Sequence, residues 1–194
     1  MAKHILVIQG HPDPAGGHLL NAMEEAYCKG AVAAGHDVRR VSVAQLDVPI
    51  LRTQQEFEHG DVPASLQAAA EDIKWADHIV LLFPLWLGTM PALLKAFLEQ
   101  VIRPNVAFVY MPGGQAKMLL SGRSARIVMT MGMPVLAYRW YFCAHGLKAL
   151  ERNILKFVGI TPVRESLFGM IETASAEKRS GWLKDLDTLG RQGA

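Results

Sequence analysis

The feature that most constrains this chain is an alternation. Short β-rich apolar runs take turns with segments whose apolar residues recur at helical spacing. Ile5-Leu6-Val7-Ile8 is apolar without a break, as a strand must be when helices cover both faces of its sheet. Ile79 to Phe83 and Ile127 to Met131 repeat the pattern. Val38, Val41 and Val43 are interrupted by Arg39 and Arg40, which predicts an edge strand, and Val163 to Phe168 supplies a fifth strand.

Between these runs lie the helices. Leu19, Met23, Ala26, Gly30 and Ala33 mark one face of a helix over residues 18–34, stopped by Gly35. Pro63 precedes a second face made of Leu66, Ala69, Ala70, Ile73 and Ala76, and Pro91 precedes a helix over 92–100. Leu147, Leu150, Ile154 and Phe157 share a face that ends at Gly159, and Trp182, Leu183, Leu186 and Leu189 mark the final helix. Residues 44–63 show little periodicity; a connection of that length serves function, wraps the surface or reaches a second subunit. Right-handed crossovers between five parallel strands give an α/β fold, a three-layer α/β/α sandwich with strand order 2-1-3-4-5. A chain of 194 residues suits a single domain over 1–194.

Charge and cysteines narrow the function classes. The net charge is +2, from 20 basic and 18 acidic residues, and no dense basic run is present, so a nucleic-acid partner is not expected. Arg123 and Arg126 read as a solvated entry into a strand. Cys28 and Cys143 have no close-spaced partner, which argues against a disulfide framework or a zinc site and fits a reducing compartment. No signal-peptide pattern precedes Lys3-His4-Ile5, and no apolar run reaches ~18 residues, so a cytoplasmic protein without a membrane span is expected.

In an open α/β sheet, ligands bind beyond the carboxyl ends of the strands, where the strand order reverses. Three loops meet that condition. Gly10-His11-Pro12-Asp13-Pro14-Ala15-Gly16-Gly17-His18 joins the first strand to a helix start, where backbone N–H groups and the helix dipole suit a phosphate. It is either such a cradle or a plain turn with two surface histidines. The second loop runs from Phe83-Pro84-Leu85-Trp86-Leu87-Gly88 to Lys95; Trp86 either faces a flat partner or fills the core. The third runs from Thr130-Met131-Gly132-Met133-Pro134 through Tyr138 to His145. The first loop is neither a Walker motif nor Gly-x-Gly-x-x-Gly.

Taken together, these loops resemble the NAD(P)H:quinone oxidoreductase family, the DT-diaphorase-like group of flavodoxin-like fold. The resemblance runs from Ile5 to the last helix. Its most specific stretch goes from Ala76-Asp77 through Phe83-Pro84-Leu85-Trp86 to Met90-Pro91-Ala92-Leu93-Leu94-Lys95. Gly10-His11-Pro12 and the pair Tyr138 and His145 agree with it in order. The resemblance implies a bound flavin, FAD or FMN, with NAD(P)H as co-substrate. His11 would lie near the flavin side chain, and His18, Leu19 and Leu20 around its phosphate. Pro84, Leu85, Trp86, Leu87 and Gly88 would line one ring edge, and Thr130, Met131, Gly132 and Met133 the other. Tyr138 and His145 would be the catalytic pair at the pyrimidine end. The chain departs from the family in a longer phosphate loop, in His18 where Ser is common, in His145 standing one residue late, and in lacking the C-terminal extension of the animal enzymes.

The implied activity is ping-pong hydride transfer from NAD(P)H through the flavin to a quinone-like acceptor. Tyr138 and His145 would stabilise the charge that reduction places on the ring. A homodimer with the flavin site near its interface is implied as well. Other readings are azo or nitro reduction at the same site and a regulatory flavoprotein subunit of a potassium-efflux transporter. A flavodoxin-like one-electron carrier would be strongly acidic, unlike this chain. A response-regulator domain would end its third strand in Asp, where this chain has Phe83-Pro84.

Overall fold

The structure is a computed structural model that describes residues 1–113 and 115–194. In chain order its elements are β1 (His4–Gln9), α1 (Leu19–Ala33), β2 (Asp37–Ser42), α2 (Gln54–His59), α3 (Gln67–Trp75), β3 (His78–Pro84), α4 (Ala92–Val101), β4 (Phe108–Tyr110), β5 (Ala116–Met118), β6 (Ser124–Thr130), α5 (His145–Lys148), β7 (Val163–Phe168) and α6 (Ala176–Gln192). Five strands form one parallel sheet in the order β2-β1-β3-β6-β7, the order 2-1-3-4-5 expected for the core strands. The switch point lies between β1 and β3, so the ends of those two strands carry the natural crevice.

Alternate residues of the central strands feed two separate cores. Ile5, Val7, Val80, Leu82 and Val128 pack under α1 and α6, while Leu6, Ile8, Ile79, Leu81 and Phe83 pack under α3, α4 and the segment around Leu147–Leu155. Each such side chain stabilises the fold by about 1.5–3 kcal/mol relative to exposure, which is why the unbroken apolar runs sit at the centre of the sheet. On one flank, α1 and α6 touch backbone to backbone. A Cβ on Gly30 would fall 2.0 Å from the Asp187 carbonyl oxygen, and one on Gly190 would fall 2.1 Å from that of Tyr27. Only glycine permits this crossing at both positions.

Several expectations need correction. Arg126 is no solvated strand entry. It points into the α1/α6 side at 5% exposure and donates from Nη1 to Ser166 Oγ at 2.8 Å; its alternation on β6 with Val128 sends it inward. The buried face of α1 is Leu20, Met23, Tyr27, Gly30 and Ala31, rotated from the one expected, so Ala33 faces solvent. Residues 44–63 are not featureless: they carry α2, whose N-cap Thr53 accepts from the Glu56 N–H at 3.1 Å. The β4–β5 hairpin, absent from the sequence expectations, is a second, two-stranded sheet. The helical stretch after β6 is irregular, with π-type turns at Ala137–Tyr141 and Ala149–Leu155.

Candidate functional site

The site is best built from the end of β1. Gln9 is buried, and its amide donates to the Leu20 carbonyl and to Glu24 Oε2, both at 3.1 Å. Its Oε1 accepts from the His11 N–H at 3.2 Å. One side chain therefore fixes the strand end, the loop and the first turn of α1. Glu24 is in turn held by Arg40 Nε at 2.8 Å. The sequence reading passed over Gln9 and Glu24; the signal available was a polar residue at the end of an otherwise apolar strand.

Asp13 organises the loop itself. Its Oδ1 accepts from the Ala15 N–H at 2.9 Å, and its Oδ2 lies 2.8 Å from His18 Nε2. The Ala15 N–H, and next the His18 ring, hold the Asp13 carboxyl below the usual carboxylate range. The Asp13 N–H donates to His11 Nδ1 at 3.1 Å. Partial burial, and next the neighbouring His18, lower the proton affinity of His11, with Asp13 opposing. His11 therefore tends to remain a neutral ring at the mouth of the loop.

Above the start of α1 there is room. Gly16 and Gly17 adopt left-handed φ values of 69° and 78°, and nothing lies within 4 Å of where a Cβ on Gly17 would be. The first turn of α1 carries no acidic residue. Asn21 Oδ1 accepts from the His18 N–H at 3.0 Å, so the helix entry is fixed while the N–H groups of Leu19 and Leu20 stand among the terminal donors that an anion can take. The Leu20 side chain belongs to the core, and the half-buried Leu19 packs against it, so both would serve through the backbone.

The second loop is a tight turn. Trp86 and Thr89 exchange backbone hydrogen bonds of 2.9 and 3.1 Å around Leu87 and Gly88. Leu87 is held at φ 48°, an uncommon conformation for a leucine, and is fully exposed; Trp86 is half exposed and does not fill the core. Pro84 is buried, and the Leu85 N–H donates to the Thr130 carbonyl at 2.8 Å, which ties the second loop to the third. The Trp86 ring meets His11 edge-on at 6.2 Å, which ties it to the first.

In the third loop Thr130 and Met131 turn inward, Gly132 is exposed and Met133 is half buried. Tyr138 is buried. Its hydroxyl accepts from the Leu147 N–H at 3.1 Å and donates to the Gly88 carbonyl at 3.4 Å, bridging the start of α5 and the tip of the second loop. Burial pushes its phenol up. His145 is exposed at the first position of α5. Leu136, Trp140, Tyr141 and Phe142 form an exposed apolar stretch on the same segment, which the sequence reading did not single out.

The three loops thus converge on one open face at the carboxyl ends of β1, β3 and β6. This face is not a closed pocket. A cavity of about 490 Å³ lies to one side, walled by Phe57, Leu98, Phe108, Tyr110, Ile154 and Phe157, and meets the loops at Lys95, the far end of the second. What the face offers fits a flavin. There is an acid-free helix start beneath open glycines for a phosphate, and an exposed tryptophan turn for a flat ring. Among the described residues no cluster of His, Cys, Asp and Glu is placed to hold a metal ion, and no helix is long and apolar enough to cross a membrane.

Comparison with known proteins agrees in fold. The chain is 29% identical over 197 aligned residues to a protein of Nitratidesulfovibrio vulgaris named FMN-dependent NADH:quinone oxidoreductase, covering 90% of this chain and 92% of the relative. The solved NAD(P)H:quinone oxidoreductase of Methanothermobacter marburgensis superposes with a TM-score of 0.81 at 20% identity, covering 98% of each chain. The solved azoreductase of Bacillus anthracis does so with a TM-score of 0.75 at 18% identity, covering 99% of this chain and 100% of the other. At those identities the two structures attest the shared architecture alone. The family described as flavodoxin-like fold matches residues 3–188, nearly the whole chain, and the chain belongs to that family.

Proposed function

We propose that this protein is an FMN-dependent NAD(P)H:quinone oxidoreductase. The observation that carries the reading is the meeting of the first two loops at the sheet's switch point. The His11–Trp86 contact sets an open helix N-terminus beside an exposed aromatic turn. The quinone-oxidoreductase name of the Nitratidesulfovibrio vulgaris relative supports the same reading.

In this reading the N–H groups of Leu19 and Leu20, with the His18 ring, take the phosphate, and His11 borders the ribityl chain. The backbone of Pro84 to Gly88 borders one edge of the ring, and that of Thr130 to Met133 the other. Once bound, the flavin supplies acceptance of hydride from NAD(P)H and its return to a quinone, in two half-reactions at one face. His145 offers a solvent-facing imidazole to the charge that develops on the ring. The Tyr138 hydroxyl already spans Gly88 and Leu147, so its part is to hold the ring-facing turn against α5. In a homodimer, a second copy would cover the Trp140 to Phe142 stretch.

The test is direct. The purified protein should be yellow, release FMN on denaturation, and oxidise NADH or NADPH with a benzoquinone in a parallel-line kinetic pattern. An azo dye in the same substrate panel separates quinone from azo reduction. A colourless protein that holds neither FMN nor FAD at micromolar levels ends the reading.

A further inference from the structure

The pole of the sheet opposite the three loops carries a polar cluster that the redox reading does not use. His78 opens β3 and is 2% exposed. Its Nδ1 lies 2.7 Å from Ser124 Oγ, while its Nε2 is buried with no partner. On the same face, because His78 pairs with Ser124 and Val80 with Arg126, stands the buried Arg126, whose Nε also lacks a partner. The hydroxyl of buried Tyr27 on α1 is a third such group. Buried polar atoms are nearly always satisfied, so three orphans on one side of one sheet call for an explanation.

A cavity of about 260 Å³ opens beside the first of them, His78, walled by Lys3, His78, Ser124, Ala125, Pro162 and Arg164 and bordered by Gly193 and Ala194. Among the described residues neither Lys3 nor Arg164 forms an ion pair; Lys3 Nζ only donates to the Gly193 carbonyl, at 2.6 Å. Burial, and next the Lys3, Arg126 and Arg164 cations, disfavour a positive charge on the His78 ring. The cavity is thus rich in donors and positive charge, and no acidic side chain lines it.

From this arrangement we infer a second ligand site, separate from the flavin face, in which Lys3, Arg164, Ser124 and His78 bind a small oxyanion such as a phosphate or a carboxylate. An oxyanion supplies acceptors and the negative charge that the Lys3 and Arg164 side chains lack here. A cation would meet like charges, and an apolar ligand would offer Lys3 and Arg164 no counter-charge. The Ser124 hydroxyl can donate to Nδ1, which leaves the second ring nitrogen of His78 as an N–H donor.

The test uses the full chain, with its flavin where one copurifies, in chloride buffer. Inorganic phosphate and, separately, acetate are titrated while amide resonances and heats are recorded. Saturable shifts centred on Lys3, His78, Ser124 and Arg164 are expected, with phosphate or acetate binding tighter according to whether the site prefers a tetrahedral or a planar anion. Lys3→Gln and Arg164→Gln should each weaken binding about tenfold. The thermal midpoint without anion and the visible spectrum should not change. His78→Gln checks the buried member separately. Shifts confined to Gly16–Leu20 would report the opposite pole and overturn the site. So would binding unaffected by both cation variants.

Discussion

The imidazole of His11 lies flat against that of His18, with ring centroids 3.8 Å apart and planes inclined by 17°. Asp13 grips the far nitrogen of His18. The pair therefore holds the loop after β1 in shape, beside the proposed site of the flavin phosphate. His18→Ala removes the stack and frees Asp13 to face the anion site. Flavin affinity should fall several-fold, on the order of 1 kcal/mol, as read by quenching of flavin fluorescence on titration.

Gly146 sits where α5 meets the tip of the second loop. A Cβ there would fall 2.3 Å from the Gly88 carbonyl oxygen and 2.7 Å from Thr89 Cα, both backbone atoms that cannot swing aside. Gly146→Ala should cost about 1–3 kcal/mol and loosen flavin binding together with stability. Gly181→Ala is the matched control: it lies in α6 with nothing within 4 Å, and should stabilise by about 0.5–1 kcal/mol without touching flavin affinity. Thermal melts with and without added FMN distinguish the two.

Tyr138 and His145 should separate by assay. Tyr138→Phe leaves the Leu147 N–H without its acceptor and should lower stability by about 1–3 kcal/mol. His145→Gln, at an exposed position, should leave the melt unchanged and slow flavin reduction in stopped flow. If the double variant reduces its flavin at the wild-type rate, neither residue takes part in the reaction.

His78 predicts a pH effect. Burial, aided by the cations around it, pushes its pKa down to about 3 from the ordinary 6.5. The unfolded chain therefore binds a proton between those values that the folded chain refuses. The contribution is constant above pH 6.5 and is lost as pH falls from 6.5 toward 3, amounting to a few kcal/mol at about 1.4 kcal/mol per unit. Denaturant melts at pH 7 and pH 4.5 should show a smaller acid loss for His78→Gln than for the wild type.

The fold was legible wherever a segment's own pattern decided its state. Ile5–Ile8 and Ile79–Phe83 could be nothing but central strands, and Leu66, Ala69, Ala70 and Ile73 nothing but a buried helix face. The β4–β5 hairpin escaped because strands of three residues show no period, and the burial of Phe108 depends on distant packing such as its edge-on contact with Phe157 at 5.0 Å. Arg126 escaped because a charged residue in a strand reads as exposed until its alternation with Val128 is known. In the site, the loops were legible from their place after apolar strands. The inward turn of Tyr138 was not, because it depends on a π-type turn and on the Gly88 carbonyl fifty residues away.

The glycine crossing of α1 and α6 bears on how the molecule is made. α1 covers Ile5, Val7 and Val80, and α6 lies against α1 with its Trp182 meeting the ring of Phe168 on β7 at 5.4 Å. On a ribosome, then, β7 emerges before the helix that packs against its Phe168, and an apolar strip beside α1 stays open until α6 docks.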